Sequence, residues 1–189
     1  NIYILKKRIE FSSIQKMIER YSRKEVREIW LDKNRYSLWL KIEIAAAEAM
    51  EKYKIIPRGV VKKVKSKSKI DVEKILKVEG KVRHDVIAFL TYINRVIGDG
   101  EISKHLHKGL TSSDVVDTVL SYQLKEAGQV ILKELDQLLS ELKEVAVSHA
   151  QTVCMGRSHG MHAEPTTFGF KLTVFWSSLS RCRERISPG

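Results

Sequence analysis

Apolar residues recur every three or four positions along most of the chain. Trp30, Leu38, Trp39, Ile42, Ala46, Ala49, Met50 and Tyr53 keep this spacing, which predicts amphipathic helices up to Tyr53. Ile55-Ile56-Pro57 breaks the pattern, and Pro57 suits the first position of a short helix. Asp71 is placed to cap another helix carrying Val72, Ile75, Leu76 and Val82. After Arg83-His84-Asp85 an apolar helix is expected over about 86–97, ended by Gly98-Asp99-Gly100. The longest pattern starts at Thr111 and carries Val116, Leu120, Leu124, Ala127, Ile131, Leu135, Leu138, Leu142 and Val145 across about nine turns. Thr111-Ser112-Ser113-Asp114 marks its start with capping hydroxyls and a first-turn acid. A second bundle helix is striped by Phe168, Leu172, Phe175, Leu179, Cys182 and Ile186.

No convincing alternating strand appears, so the fold class is all-α. It reads as an N-terminal helical domain over 17–110 followed by the first long helices of a central bundle over 111–189. Residues 1–16, with Lys6, Lys7, Arg8 and several serines, read as a disordered leader or an artefact. Between the two bundle helices lies Gly156-Arg157-Ser158-His159-Gly160-Met161-His162-Ala163-Glu164-Pro165-Thr166-Thr167-Phe168-Gly169. Glycines, hydroxyls and two histidines in such a break read as a site loop, with Pro165 suited to the first turn of the next helix.

The formal net charge of +11 raises nucleic-acid or membrane-surface binding as a hypothesis. The densest basic run, over 58–69, has no interleaved aromatics for base stacking and reads better as a solvated helical face. No nucleic-acid partner is therefore expected. The two cysteines, Cys154 and Cys182, form neither a disulfide framework nor a metal motif, which fits a reducing cytosol. No apolar run is long enough to span a membrane, and residues 2–5 are too few for a secretory core.

Taken singly, the candidate chemical residues are ambiguous. His159 alone would be a satisfied loop histidine, His84 and His107 ordinary interhelical ones, and Arg20-Tyr21 a surface pair. The His159/His162 and His105/His107 spacings are weak metal signals, since two ligands do not define a site. Thr111 and Ser112, at a helix start, suit anion contact and plain capping equally.

Four segments taken together change this reading. Met17-Ile18-Glu19-Arg20-Tyr21-Ser22-Arg23, Arg83-His84-Asp85-Val86, His107-Lys108-Gly109-Leu110-Thr111-Ser112-Ser113-Asp114-Val115-Val116-Asp117-Thr118 and the run from Ser158 to Gly169 resemble the fumarase/aspartase superfamily, in its adenylosuccinate lyase branch. Argininosuccinate lyases and fumarases usually place Leu-Gln after the signature histidine, where this chain has Gly160-Met161.

The resemblance implies a cytoplasmic homotetramer with a shared central bundle and active sites built from several subunits, needing no metal or cofactor. Its substrates would be small nucleotides: β-elimination of fumarate from adenylosuccinate, leaving AMP, and from succinyl-aminoimidazole carboxamide ribotide. The reaction needs a base for the proton beside a carboxylate, stabilisation of the carbanion, and an acid for the departing nitrogen. By resemblance His159 is the acid and His84 the second catalytic histidine, placed to orient it; His162 is structural. Arg20 and Tyr21 resemble a phosphate clamp, a role that suits a forked guanidinium. Arg83, His84, Asp85, His107, Thr111, Ser112 and Ser158 match substrate-pocket positions. Ser158 stands where threonine is common, and Lys108 where many relatives carry tyrosine.

The family's base is a serine in a mobile loop beyond residue 189, and Ser177, Ser178 and Ser180 on a bundle helix do not reproduce that setting. Family members are more than twice as long, so the chain reads as the N-terminal part of a longer protein, inactive alone. The alternatives are a same-fold lyase for another fumarate-releasing substrate, or a catalytically silent helical assembly protein.

Overall fold

The computed structural model describes residues 18–187. The expected leader over 1–16 and the first residue of the opening motif, Met17, lie outside them. The chain divides into two compact units, one through Leu124 and the other from Lys125.

The first unit is helical. A 3-10 turn over Glu19–Tyr21 precedes α1 (Lys24–Trp30), α2 (Asp32–Lys52), α3 (Val60–Lys67), α4 (Val72–Val82), α5 (Asp85–Ile97), the four-residue α6 (Gly100–Ser103) and the start of α7 (Ser112–Ser148). Side chains set several of these boundaries. Asp71 accepts a hydrogen bond from the Lys74 main-chain N–H at 3.1 Å and caps α4 as its position predicts. Gly98 ends α5 with a left-handed φ of 64°, and Asp99 caps α6. Helix α3 starts at Val60 rather than at Pro57: Gly59 takes φ 93°, and the Glu51 carboxylate accepts the Val61 N–H at 2.7 Å, so a side chain from α2 supplies the cap.

The core of this unit is built around Tyr36, Trp39 and Phe89. The Trp39 and Phe89 rings meet edge to face with centroids 5.5 Å apart, and Ile75, Ile93, Ile97, Val60 and Val64 close around them. Each of these aliphatic side chains contributes about 1.5–3 kcal/mol by leaving water. Trp39, Glu43 and Ala47 form one i, i+4, i+8 stripe of α2, and all three are buried. Glu43 is thus a carboxylate set among core residues.

The second unit contains the rest of α7, the strands β1 (Val153–Ser158) and β2 (Met161–Thr167), and α8 (Phe168–Ile186). The segment read as a site loop is a β-hairpin. The strands pair antiparallel from Val153–Thr167 to Ser158–Met161, with a register shift between Met155 and Arg157. Gly156 sits in that shift, where a Cβ would come within 2.7 Å of the Glu164 carbonyl oxygen. Pro165, expected in a helix, lies in β2 opposite Met155. A two-stranded ribbon has only edges, so a residue without an N–H is tolerated there. Helix α8 begins three residues later, with the Thr167 hydroxyl accepting the Phe170 N–H at 3.2 Å. Among the described residues the fold is all-α apart from this hairpin.

Candidate active site

Three stretches of the first unit carry predicted site residues. Arg20 and Tyr21 lie in the opening 3-10 turn, both exposed, with the Arg20 guanidinium stacked 4.8 Å from the Tyr21 ring centroid. At the α4–α5 corner, Arg83 takes φ 54° and donates its N–H to the Glu79 carbonyl at 2.7 Å. This left-handed residue turns the chain so sharply that His84 directly caps α5, its Nδ1 accepting the Ile87 N–H at 3.4 Å. The neutral ring therefore carries its proton on Nε2. A proton on Nδ1 would exchange the Ile87 bond for the Asp85 carboxylate, whose Oδ1 lies 3.4 Å away.

His107 is held differently. It too takes a left-handed φ, 59°. Its main-chain N–H donates to Glu43 Oε2 at 2.8 Å, and its Nδ1 lies 2.6 Å from Glu43 Oε1. Two residues after Gly109, the Thr111 N–H donates to Asp114 Oδ2 at 2.7 Å, one half of a capping box, and α7 begins at Ser112. The chain's own carboxylate thus occupies one of the N–H groups that a helix start offers to an anion. Among the described residues no hydrogen bond or ion pair joins His84 to His107.

In the second unit Ser158 and Met161 close the hairpin, and His159 and Gly160 form its two-residue turn with φ 51° and 76°. Positive φ at both central residues is what a type I′ turn requires. The hairpin presents Ser158 and His159 at its tip, both exposed, and sets His162 opposite Arg157.

Left-handed backbone recurs at several of the residues singled out from sequence. The described non-glycine residues with positive φ are Lys54, Arg83, His107 and His159, and three of these four are site positions read from sequence. Each costs on the order of 1–2 kcal/mol against an ordinary helical or extended conformation. Such residues persist where the surroundings over-determine them, and they cluster at active sites. Glu43 was not among the residues predicted for the site. Its signal was available as an acid in phase with Trp39 and Ala47 on an otherwise apolar stripe.

An all-helical frame carrying a histidine-tipped hairpin defines the class. The model of the lyase family matches residues 11–188, and the chain belongs to that family. Within it the chain is similar to adenylosuccinate lyases: it is 47% identical over 169 residues to that of Bacillus subtilis (strain 168) and 46% identical over 169 residues to that of Staphylococcus saprophyticus. In both cases the match covers 89% of this chain and 39% of the relative, so the chain spans well under half of their length. Among solved structures it is similar to 3-carboxy-cis,cis-muconate lactonizing enzyme from Pseudomonas putida, with a TM-score of 0.82 and 29% identity over 88% of this chain and 39% of that one. It is also similar to a fumarate lyase from Mesorhizobium sp. BNC1, with a TM-score of 0.79 and 25% identity over 88% of this chain and 40% of that one. Described helices long enough to cross a membrane are too polar to do so.

Proposed function

We propose that the protein acts as an adenylosuccinate lyase, eliminating fumarate from adenylosuccinate to leave AMP and from succinyl-aminoimidazole carboxamide ribotide in the same way. The observation that carries this reading is the strained, exposed His159 at the tip of a hairpin whose sequence matches the family signature. A protonated imidazole there can deliver its proton to the departing purine nitrogen. His84 serves as the second catalytic histidine, its Nε2–H left as a donor when Nδ1 accepts from Ile87. Arg20 and Tyr21 clamp the phosphate. Arg83, Asp85, His107, Thr111, Ser112 and Ser158 hold the remaining oxygens and the carboxylates.

The working form is a cytoplasmic homotetramer with shared sites, and the base that removes the carbon-bound proton comes from residues outside these 189. Exposed apolar side chains on α8 support an assembly: Phe170 is 66% exposed, Val174 58% and Phe175 52%, more than a helix in water ordinarily leaves uncovered. The 189-residue chain alone is accordingly expected to show at most trace turnover.

The test is release of fumarate and AMP from adenylosuccinate by the product of the complete reading frame, beside its His159→Asn variant. Asparagine tolerates the left-handed conformation but cannot act as the acid, so the variant keeps the turn and loses about 100- to 10,000-fold in rate. Full activity in the variant would remove His159 from the mechanism. No fumarate from the unaltered protein would overturn the substrate.

A further inference from the structure

We propose that Glu43 is a positioning residue for the elimination: it fixes the proton of His107 on Nδ1 and thereby directs Nε2 of that ring to the substrate. This rests on the reading of His107 as a substrate-pocket residue and assigns it a chemical state.

Glu43 is 1% exposed, on a face of α2 otherwise given to core packing. An ionised carboxylate is kept out of water at high cost unless hydrogen bonds compensate it. Here both compensating bonds come from one residue, the main-chain N–H of His107 to Oε2 at 2.8 Å and the ring Nδ1 to Oε1 at 2.6 Å. The first has a fixed sense, because a main-chain N–H only donates. For the second, an ionised carboxylate can only accept, so the ring nitrogen facing Oε1 is the donor and the proton of the neutral ring lies on Nδ1.

The same two bonds pin the left-handed φ of 59° at His107, so backbone and ring are set together from one buried anchor. Nε2 makes no hydrogen bond among the described residues, and the side chain keeps 22% of its surface open. With Nδ1–H held by Glu43, the neutral ring presents a lone pair at Nε2. On taking a proton there, it presents an N–H donor to an anionic substrate oxygen, while the carboxylate behind it balances the new charge. His84 has the opposite arrangement, Nδ1 accepting and Nε2–H donating, so the two histidines offer complementary faces.

Glu43→Gln tests this by geometry. An amide has one accepting atom, and the main-chain N–H of His107 must have it, so the NH2 group faces Nδ1. The ring proton should then move from Nδ1 to Nε2. Long-range nitrogen–proton NMR of the imidazoles reads the position of the proton directly, with His107 assigned by its loss in His107→Gln. The expected result is Nδ1–H in the unaltered protein and Nε2–H in E43Q. Alongside it, KM for adenylosuccinate should rise by about tenfold to a hundredfold in E43Q of the complete protein, with kcat changed less. A merely structural role would reduce the folded fraction and apparent kcat while leaving KM in place.

Nε2–H in the unaltered protein, or an unchanged tautomer and KM in folded E43Q, overturns the proposal. If E43Q does not fold, the unaltered protein's spectrum decides alone. Absence of turnover by the unaltered protein would sink the lyase reading but not touch the tautomer result, so the two failures are distinguishable.

Discussion

Gln123 and Ile29, separated by 94 positions, are joined by a buried hydrogen bond in which Gln123 Nε2 donates to the Ile29 carbonyl at 2.6 Å. Ile29 lies in the last turn of α1, where carbonyls have no partner within the helix. Asn34 Nδ2 donates to the same oxygen at 2.9 Å. Gln123→Leu alone should therefore cost about 0.5–1.5 kcal/mol, because Asn34 still satisfies the carbonyl. Adding Asn34→Ala should cost more than the sum of the single changes, since the oxygen is then orphaned. Urea unfolding of both single variants and the double variant measures the excess; strict additivity would mean that the carbonyl finds another donor.

The aromatic cluster sets the scale of the core. Tyr36 and Phe89 stack with centroids 6.0 Å apart, and Trp39 meets both edge-on. Phe89→Ala should lose about 3–5 kcal/mol, the transfer and cavity costs together. A shift in the urea midpoint at constant slope would check this, whereas a changed slope would point to altered compactness.

Tyr36 also predicts an alkaline limit. Burial pushes its phenol above the usual value; the Arg35 guanidinium opposes this, and the Glu79 and Asp32 carboxylates add to it. The folded state thus favours the neutral phenol. Stability from this group is complete below the unfolded value of about 10 and falls as pH rises through the folded value. Tyr36→Phe lacks an ionisable group here, so its stability should decline less steeply above about pH 10. Unfolding midpoints across that range for both proteins give the comparison, and parallel curves would refute it.

Two glycines on helices should respond in opposite directions. A Cβ on Gly169 would lie 2.3 Å from the Ala146 carbonyl oxygen and 2.9 Å from Ala150 Cα, backbone that cannot swing aside. Gly169→Ala should force the start of α8 away from the end of α7 and cost about 1–3 kcal/mol or more. Gly128, inside α7, has nothing within 4 Å of the same position. Gly128→Ala should stabilise by up to about 1 kcal/mol. Thermal melts of the two variants would separate them, and shifts of the same sign would refute the packing argument.

The helices of the first unit were legible because their signals are local. Asp71, Gly98 and the stripe of α5 each act through neighbours a few positions away. The hairpin was not legible, because most of its side chains on both faces are at least partly exposed, and a strand reveals itself in sequence only when one face is dry. Pro165 misled for the same reason, being read as a helix starter when it stands on a free edge. The α3 start depended on Glu51, ten residues from its partner Val61. Glu43 depended on a histidine 64 residues away, a relationship no local pattern encodes.

Left-handed backbone at Arg83 and His159 has a consequence for selection. Both side chains are exposed, and glycine would relieve the conformational cost at either position. A library sorted only for abundance or heat resistance should therefore enrich glycine at 83 and 159, while the same library sorted for turnover should purge it. His107 should not follow them, because losing its ring strands the buried Glu43 carboxylate and makes glycine unfavourable on both counts. Comparing the two enrichment maps would separate residues kept for what they do from residues kept for what they hold up.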